Sequence, residues 1–220
     1  MTMENKRICY IFGSAEAALP PLGVTRNREN LYIAADRGFV SATDIGITPD
    51  VILGDFDSFP LTEEMKNSGA EIIRHPVEKD DTDLMLALKL GLERGYREFN
   101  IIGCLGGERF DHSIATVQSL AYATEQGAAA FAYGYGEGGR VSCAAVIKSG
   151  SLTLEARSAG NLSVFSLSEI SEGVSVTGLK YEVTGAVLRS FFPLGVSNSF
   201  VGKDARISVE NGTLLIIYDV

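Results

Sequence analysis

Between residue 7 and about residue 133, apolar positions come in strand-length runs separated by stretches with helical spacing. The runs "ICYIFG", "NLYIAA", "DVILG", "AEIIR", "FNIIG" and "AAAFAY" read as strands. Between them, "RGFVSATDIG", "LTEEMKNSG", "TDLMLALKLGLERG" and "HSIATVQSLAYATEQG" read as helices, each closing on a glycine suited to a helix C-terminus. This alternation predicts βα units and a mostly parallel, doubly wound, Rossmann-like sheet. After "YGYGEGGR" the helical period disappears. The runs "SLTLEA", "GNLSVFSL", "VSVTGL", "AVLRSFF", "ARISVE" and "TLLIIY", broken by glycine, serine and asparagine, predict an all-β C-terminal sandwich. The expected domains are therefore 1–135 (α/β) and 141–220 (β), with "GYGEGG" as the linker between them.

Composition narrows the class. A chain of 220 residues with 45% apolar content can bury a sizeable core. The formal net charge of -9 argues against nucleic acid as the main partner, because that affinity comes from lysine and arginine neutralising phosphates. No apolar run approaches the roughly 20 residues of a membrane span, and "MTMENKRICYIFGS" lacks the features of a secretory leader, so the cytoplasm is the expected compartment. Three cysteines cannot all pair, and none has zinc-site spacing.

Placing the acidic residues on the predicted elements gives a sharper signal. Asp36 follows "LYIAA", Asp55 and Asp57 follow "VILG", Asp80, Asp81 and Asp83 follow "EIIR", and Asp111 follows "NIIG". All fall beyond the carboxyl ends of the predicted parallel strands, where open α/β sheets bind ligands. Carboxylates converging on one crevice repel each other unless a cation compensates, and an all-oxygen donor set selects Mg²⁺, Mn²⁺ or Ca²⁺. A nucleotide phosphate site with Mg²⁺ is the natural inference. Thr82 and Asp83 open an apolar helix whose free N–H groups attract anions, and Lys79 precedes it. Asp80 and Asp83, three apart, could face one cation. In "GCLGGERFDHS" a glycine pair allows close backbone approach, Arg109 is a fixed cation and Asp111 opens the next helix; His112 reads either as a general base or as a structural residue. Singly, Asp81 could be an N-cap and Asp36 a turn residue. Neither a dinucleotide G-x-G-x-x-G nor a Walker loop is present.

The ordered set "AADRG", "PDVILGDFDSF", "EKDDTD" and "GGERFDH", with "GVSNSF" in the tail, closely resembles the thiamine pyrophosphokinase family over nearly the whole chain. The resemblance implies transfer of a diphosphate from ATP to the hydroxyethyl oxygen of thiamine, with AMP released. It also implies a homodimer with thiamine held where one subunit's sandwich meets the other's nucleotide domain. Residue by residue, it implies metal and phosphate-positioning roles for Asp55, Asp57, Asp80, Asp83 and Asp111, with Asp57, Asp83, Asp111 and Arg109 catalytic. Arg109, Lys79 and Thr82 would steady the nucleotide phosphates, Asp36 and Gly38 would lie near the nucleotide, and Ser197 and Asn198 would recognise thiamine, with Phe200 a nearby wall. Against the family pattern, Glu108 is inserted before Arg109, Thr116 replaces an asparagine, and the chain has no tryptophan to stack on thiamine. Rival readings are a diphosphokinase of a pterin alcohol, a manganese glycosyltransferase, which explains only "DFD", and a non-catalytic thiamine-binding module.

Overall fold

The computed structural model describes residues 7–15, 19, 23–57, 59–76, 80–107, 109–135 and 139–220. Its first six strands are β1 (Ile8–Phe12), β2 (Leu31–Ala35), β3 (Val51–Gly54), β4 (Glu71–Arg74), β5 (Glu98–Ile102) and β6 (Ala129–Tyr135). They run parallel in the spatial order β6-β5-β1-β2-β3-β4. The winding direction therefore reverses between β1 and β5, and the connections on either side diverge there to leave a crevice. Helices α1 (Gly38–Asp44), α2 (Glu63–Asn67), α3 (Asp83–Glu93) and α4 (Phe110–Glu125) occupy the expected stretches. Each is followed by its expected glycine in the left-handed region, Gly46, Gly69, Gly95 and Gly127.

Alternation along β1 shows how the sheet is covered on both faces. Cys9 and Ile11 pack with Leu84, Leu88, Leu120 and Ala123 of α3 and α4, whereas Tyr10 and Phe12 pack on the opposite face with Ala42 of α1 and with residues of the C-terminal strands. Ile11, Ile33, Leu53 and Ile101 are wholly inaccessible, and each such side chain contributes about 1.5–3 kcal/mol on leaving water.

The sheet does not end at the expected boundary. β6 is followed by β7 (Val141–Lys148), which pairs with it antiparallel. The same sheet continues through β14 (Thr213–Asp219), β9 (Asn161–Ser166) and β12 (Gly195–Ser199), making ten strands in all. A second sheet of order β11-β10-β13-β8 (Val183–Arg189, Ile170–Thr177, Ala205–Ser208, Ser151–Leu154) covers the face carrying Tyr10 and Phe12. The sandwich is therefore present, but one of its layers is an extension of the α/β sheet.

β7 was not apparent from the sequence pattern. Its run "VSCAAVIK" has no polar alternation because both faces are covered: Cys143 lies in the sandwich core, Ala144 and Val146 under the helices. The segment "GYGEGG", read as a linker, belongs partly to β6, and residues 136–138 lie outside the described residues.

Candidate active site

A cleft of about 630 Å³ opens at the carboxyl ends of β1, β2 and β5, at the point where the winding reverses. Its walls are Gly13–Ala15 after β1, Ala35 and Asp36 at the end of β2, Thr82–Leu84 at the start of α3, the 103–107 loop after β5, and Arg109, His112, Ala115 and Thr116 at the start of α4. The loops after β1 and β5 lie against each other. Gly13 N donates to Ile102 O at 2.7 Å and Ala15 N to Gly103 O at 2.9 Å, and a Cβ on Gly13 would overlap the Cys104 sulfur. Thr116, buried inside α4, ties the helix to this loop by donating its hydroxyl to Cys104 O at 2.5 Å.

Asp36 turns into the cleft with a left-handed backbone, φ 48°, its N–H donating to Leu53 O at 2.8 Å. Its carboxylate lies over Gly54, where any Cβ would overlap Oδ1. Gly38 is similarly constrained by Phe12 O, so it lets α1 approach β1 and does not line the cleft. In "DFD", the alternation has a packing cause. Phe56, φ 60°, is buried with Met65 and Phe39, and the Arg74 guanidinium stands 5.5 Å from its ring centre. With Phe56 turned inward, Asp55 is half-buried and Asp57 exposed, and Asp55 Oδ1 accepts from Asp57 N at 3.1 Å.

At the start of α3, Thr82 is the N-cap, its hydroxyl accepting from Met85 N at 3.2 Å, and Asp83 is the first helical residue. Asp81 pairs with Lys89 at 2.6 Å, and Asp80 is exposed. Lys79 lies outside the described residues. At the start of α4, Arg109 holds Asp111 with two hydrogen bonds, Nε to Oδ1 at 3.0 Å and Nη2 to Oδ2 at 2.6 Å. That guanidinium holds the Asp111 carboxyl down at about 2. Burial pushes the Cys104 thiol up to about 12, so it is not a nucleophile near neutral pH.

The cleft thus brings together Asp36, Thr82, Asp83 and Arg109 of the expected residues. Asp55, Asp57, Asp80 and Asp111 are not on its walls. Among the described residues, no group of three or more His, Cys, Asp or Glu side chains is placed to hold a metal ion. Sequence reasoning missed Gly13, Ser14 and Ala15, which offer backbone in place of charged side chains; their signal was a glycine at the end of the strand beside the reversal point.

Ser197 and Asn198 lie elsewhere, on β12 at the edge of the large sheet. β12 is bulged against β9 between Gly195 and Asn198, and Ser197 is left-handed, φ 62°. Asn198 Oδ1 accepts from Tyr181 N and from Ser199 N, both at 2.9 Å, while Nδ2 donates to Tyr181 O at 2.6 Å. Phe200 is buried in the sandwich core and is no wall of an open site.

Family models describing the thiamin pyrophosphokinase catalytic domain and the thiamin pyrophosphokinase vitamin B1 binding domain match residues 24–132 and 151–214. The chain belongs to the thiamin pyrophosphokinase family. The cleft lies mostly within the span of the first model, Ser197 and Asn198 within the second, and β7 in neither. A curated thiamine pyrophosphokinase of Bacillus subtilis (strain 168) is 36% identical over 117 residues, 52% of this chain and 54% of that one. The match spans about half the length of that relative. A crystal structure of Bacillus subtilis thiamine pyrophosphokinase superposes with a TM-score of 0.81 at 26% identity, covering 98% of this chain and 99% of that one. Yeast thiamin pyrophosphokinase shares the fold at 14% identity, with a TM-score of 0.72 and coverage of 98% and 87%.

Proposed function

We propose that the protein transfers a diphosphate from ATP to the hydroxyethyl oxygen of thiamine, giving thiamine diphosphate and AMP. The observation that carries this reading is the cleft at the reversal point of a parallel sheet, in a chain matched by both family domain models. We read the α/β part as Rossmann-like and doubly wound, and residues 1–135 and 141–220 as the nucleotide-binding and thiamine-binding parts.

In this reading the thiamine hydroxyl oxygen attacks the β-phosphorus in line, and the bond to the α-phosphate oxygen breaks. The start of α3, where Thr82 and Asp83 stand, and the backbone of the 103–107 loop would orient the phosphates, with Asp36 and Gly38 on the nucleotide side. Arg109, already at the cleft, would turn from Asp111 toward phosphate, and Lys79 would add a second cation. The oxygen donors fit Mg²⁺, which needs only one or two carboxylates beside phosphate oxygens and water. Asp83 on the cleft wall, with Asp55, Asp57, Asp80 and Asp111 off its walls, are the carboxylates from which those one or two would come, and the ion would neutralise charge on the triphosphate.

Ser197 and Asn198 would serve thiamine, beside the exposed ring of Tyr181. β12 is five strands from β5 in the sheet order, which at about 4.8 Å per strand is roughly 24 Å. A two-ring acceptor cannot bridge that span within one chain, which supports a homodimer whose partner subunit completes the site. The exposed side chains of Phe191, Phe192 and Leu194 just before β12, and of Val196 on it, support the same reading. Among the described residues, no helix is long and apolar enough to cross a membrane, and the cytoplasm remains the proposed compartment.

The test is AMP release from ATP and Mg²⁺ with thiamine, with a pterin alcohol, and with no acceptor. Release only with thiamine is expected. Preference for the pterin alcohol would move the protein to the rival diphosphokinase, and no release at all would leave a binding module.

A further inference from the structure

We propose that Asn198 is a positioning residue, acting on the acceptor by holding Tyr181 in place and not as the paired donor and acceptor of an aminopyrimidine edge. The inference rests on the thiamine reading above. A carboxamide has two acceptor lone pairs and two N–H donors. Both acceptor positions of Asn198 are taken, by Tyr181 N and Ser199 N, and one donor is taken by Tyr181 O. The direction of the amide follows from its partners, since a backbone N–H must meet Oδ1 and a backbone carbonyl must meet Nδ2. An aminopyrimidine edge presents an amino donor next to a ring-nitrogen acceptor. Asn198 has no acceptor left to meet that amino group, so with its one remaining N–H it cannot pair with both positions of that edge.

What these bonds accomplish is a second function for the same side chain. They extend the backbone pairing between the end of β12 and the turn that joins β10 to β11. Lys180 N donates to Ser199 O at 2.9 Å and Leu179 bridges Phe200, so the turn is held along its length. Gly178 N donates to Glu182 Oε1 at 2.7 Å, closing the turn from the other side. Tyr181, 61% exposed, is thereby presented beside Asn198 of β12, with Lys180 Nζ 5.2 Å from its ring centre. Asn198 sets where that ring stands, and Tyr181 and Ser197 are left to face the acceptor.

A double-mutant cycle tests this. In the full-length protein, Asn198→Ala should raise the thiamine KM about tenfold, with kcat and the ATP KM changing less than about twofold. In a Tyr181→Ala background, the same Asn198→Ala change should alter the thiamine KM less than about twofold. If the two single effects multiply instead, Asn198 touches thiamine independently and the proposal fails. If Asn198→Ala does not fold, Asn198→Asp, which keeps both acceptor contacts and loses the donor, takes its place in the cycle. A readout independent of thiamine uses Tyr181→Trp, which becomes the chain's single tryptophan. Its fluorescence anisotropy in the ligand-free protein should fall when Asn198→Asp is added, and unchanged anisotropy would overturn the positioning role. A wild-type protein that releases no AMP with thiamine would instead refute the proposed function, while the anisotropy result still reports on the turn.

Discussion

The two halves of the ten-stranded sheet place chemistry in different ways. In β1 to β6 every strand points the same way, so the loops after β1, β2 and β5 emerge at one edge and form one cleft. In β7, β14, β9 and β12 neighbouring strands alternate in direction, and successive loops leave from opposite ends. The parallel half can gather distant residues without cross-links. In the antiparallel half, the edge that carries Ser197 and Asn198 is built from a bulged outer strand and a neighbouring turn, fastened by the Asn198 side chain.

The two halves share buried clusters on both faces of the sheet, so separating them is expected to have the largest effect. A fragment ending at residue 135 would lose β7, whose Ala144 and Val146 pack with Leu120 and Ala123 of α4, and would leave β6 as an apolar edge. It is expected to aggregate or to lose cooperative thermal unfolding. A soluble fragment with a sharp calorimetric transition would show that the halves are independent after all.

At the parallel half's edge, Asp57→Asn or Asp111→Asn should lower turnover with ATP, Mg²⁺ and thiamine by about 10²-fold or more, with circular dichroism and Tm nearly unchanged. Near-normal turnover in both, at saturating Mg²⁺, would remove the carboxylates from the chemistry.

Backbone packing under the cleft should show a smaller effect. Gly38→Ala forces a methyl into Phe12 O, expected to cost about 1–3 kcal/mol in chemical denaturation. Gly46→Ala meets nothing and strains only its left-handed backbone, φ 77°, for about 1 kcal/mol. Equal losses would mean that the close approach of α1 to β1 is not tight.

The smallest expected effect concerns pH. The Asp111 carboxyl is held at about 2, below its usual range near 4. A depressed native pKa contributes stability that is present above the unfolded value and lost as pH falls through about 2. Both partners are exposed, so the contribution is slight. Arg109→Ala should move the Asp111 carboxyl titration, followed by NMR, back toward pH 4; an unmoved midpoint would mean that the ion pair is not formed in solution.

Much of this layout was legible in the sequence because strands β1 to β6 carry apolar runs bounded by helix-ending glycines such as Gly95 and Gly127. The acids stood out because parallel topology converts sequence position into one spatial edge. β7 was hidden because burial on both faces erases alternation, as at Cys143 and Ala144. Gly13–Ala15 were hidden because their part in the cleft is backbone. Asn198 was visible as a polar residue, but not its partner Tyr181, seventeen positions away and joined to it only by the fold.

The position of β14 has a consequence for synthesis on the ribosome. This strand sits between β7 and β9 in the sheet, yet it is made from residues 213–219. Once β7 has emerged, its outer edge must wait for the roughly 65 residues that precede β14, about 3–13 s at cellular elongation rates. Throughout that interval the nascent chain presents an unpaired strand rich in alanine and valine, and chaperone capture is expected to concentrate on chains halted in that window.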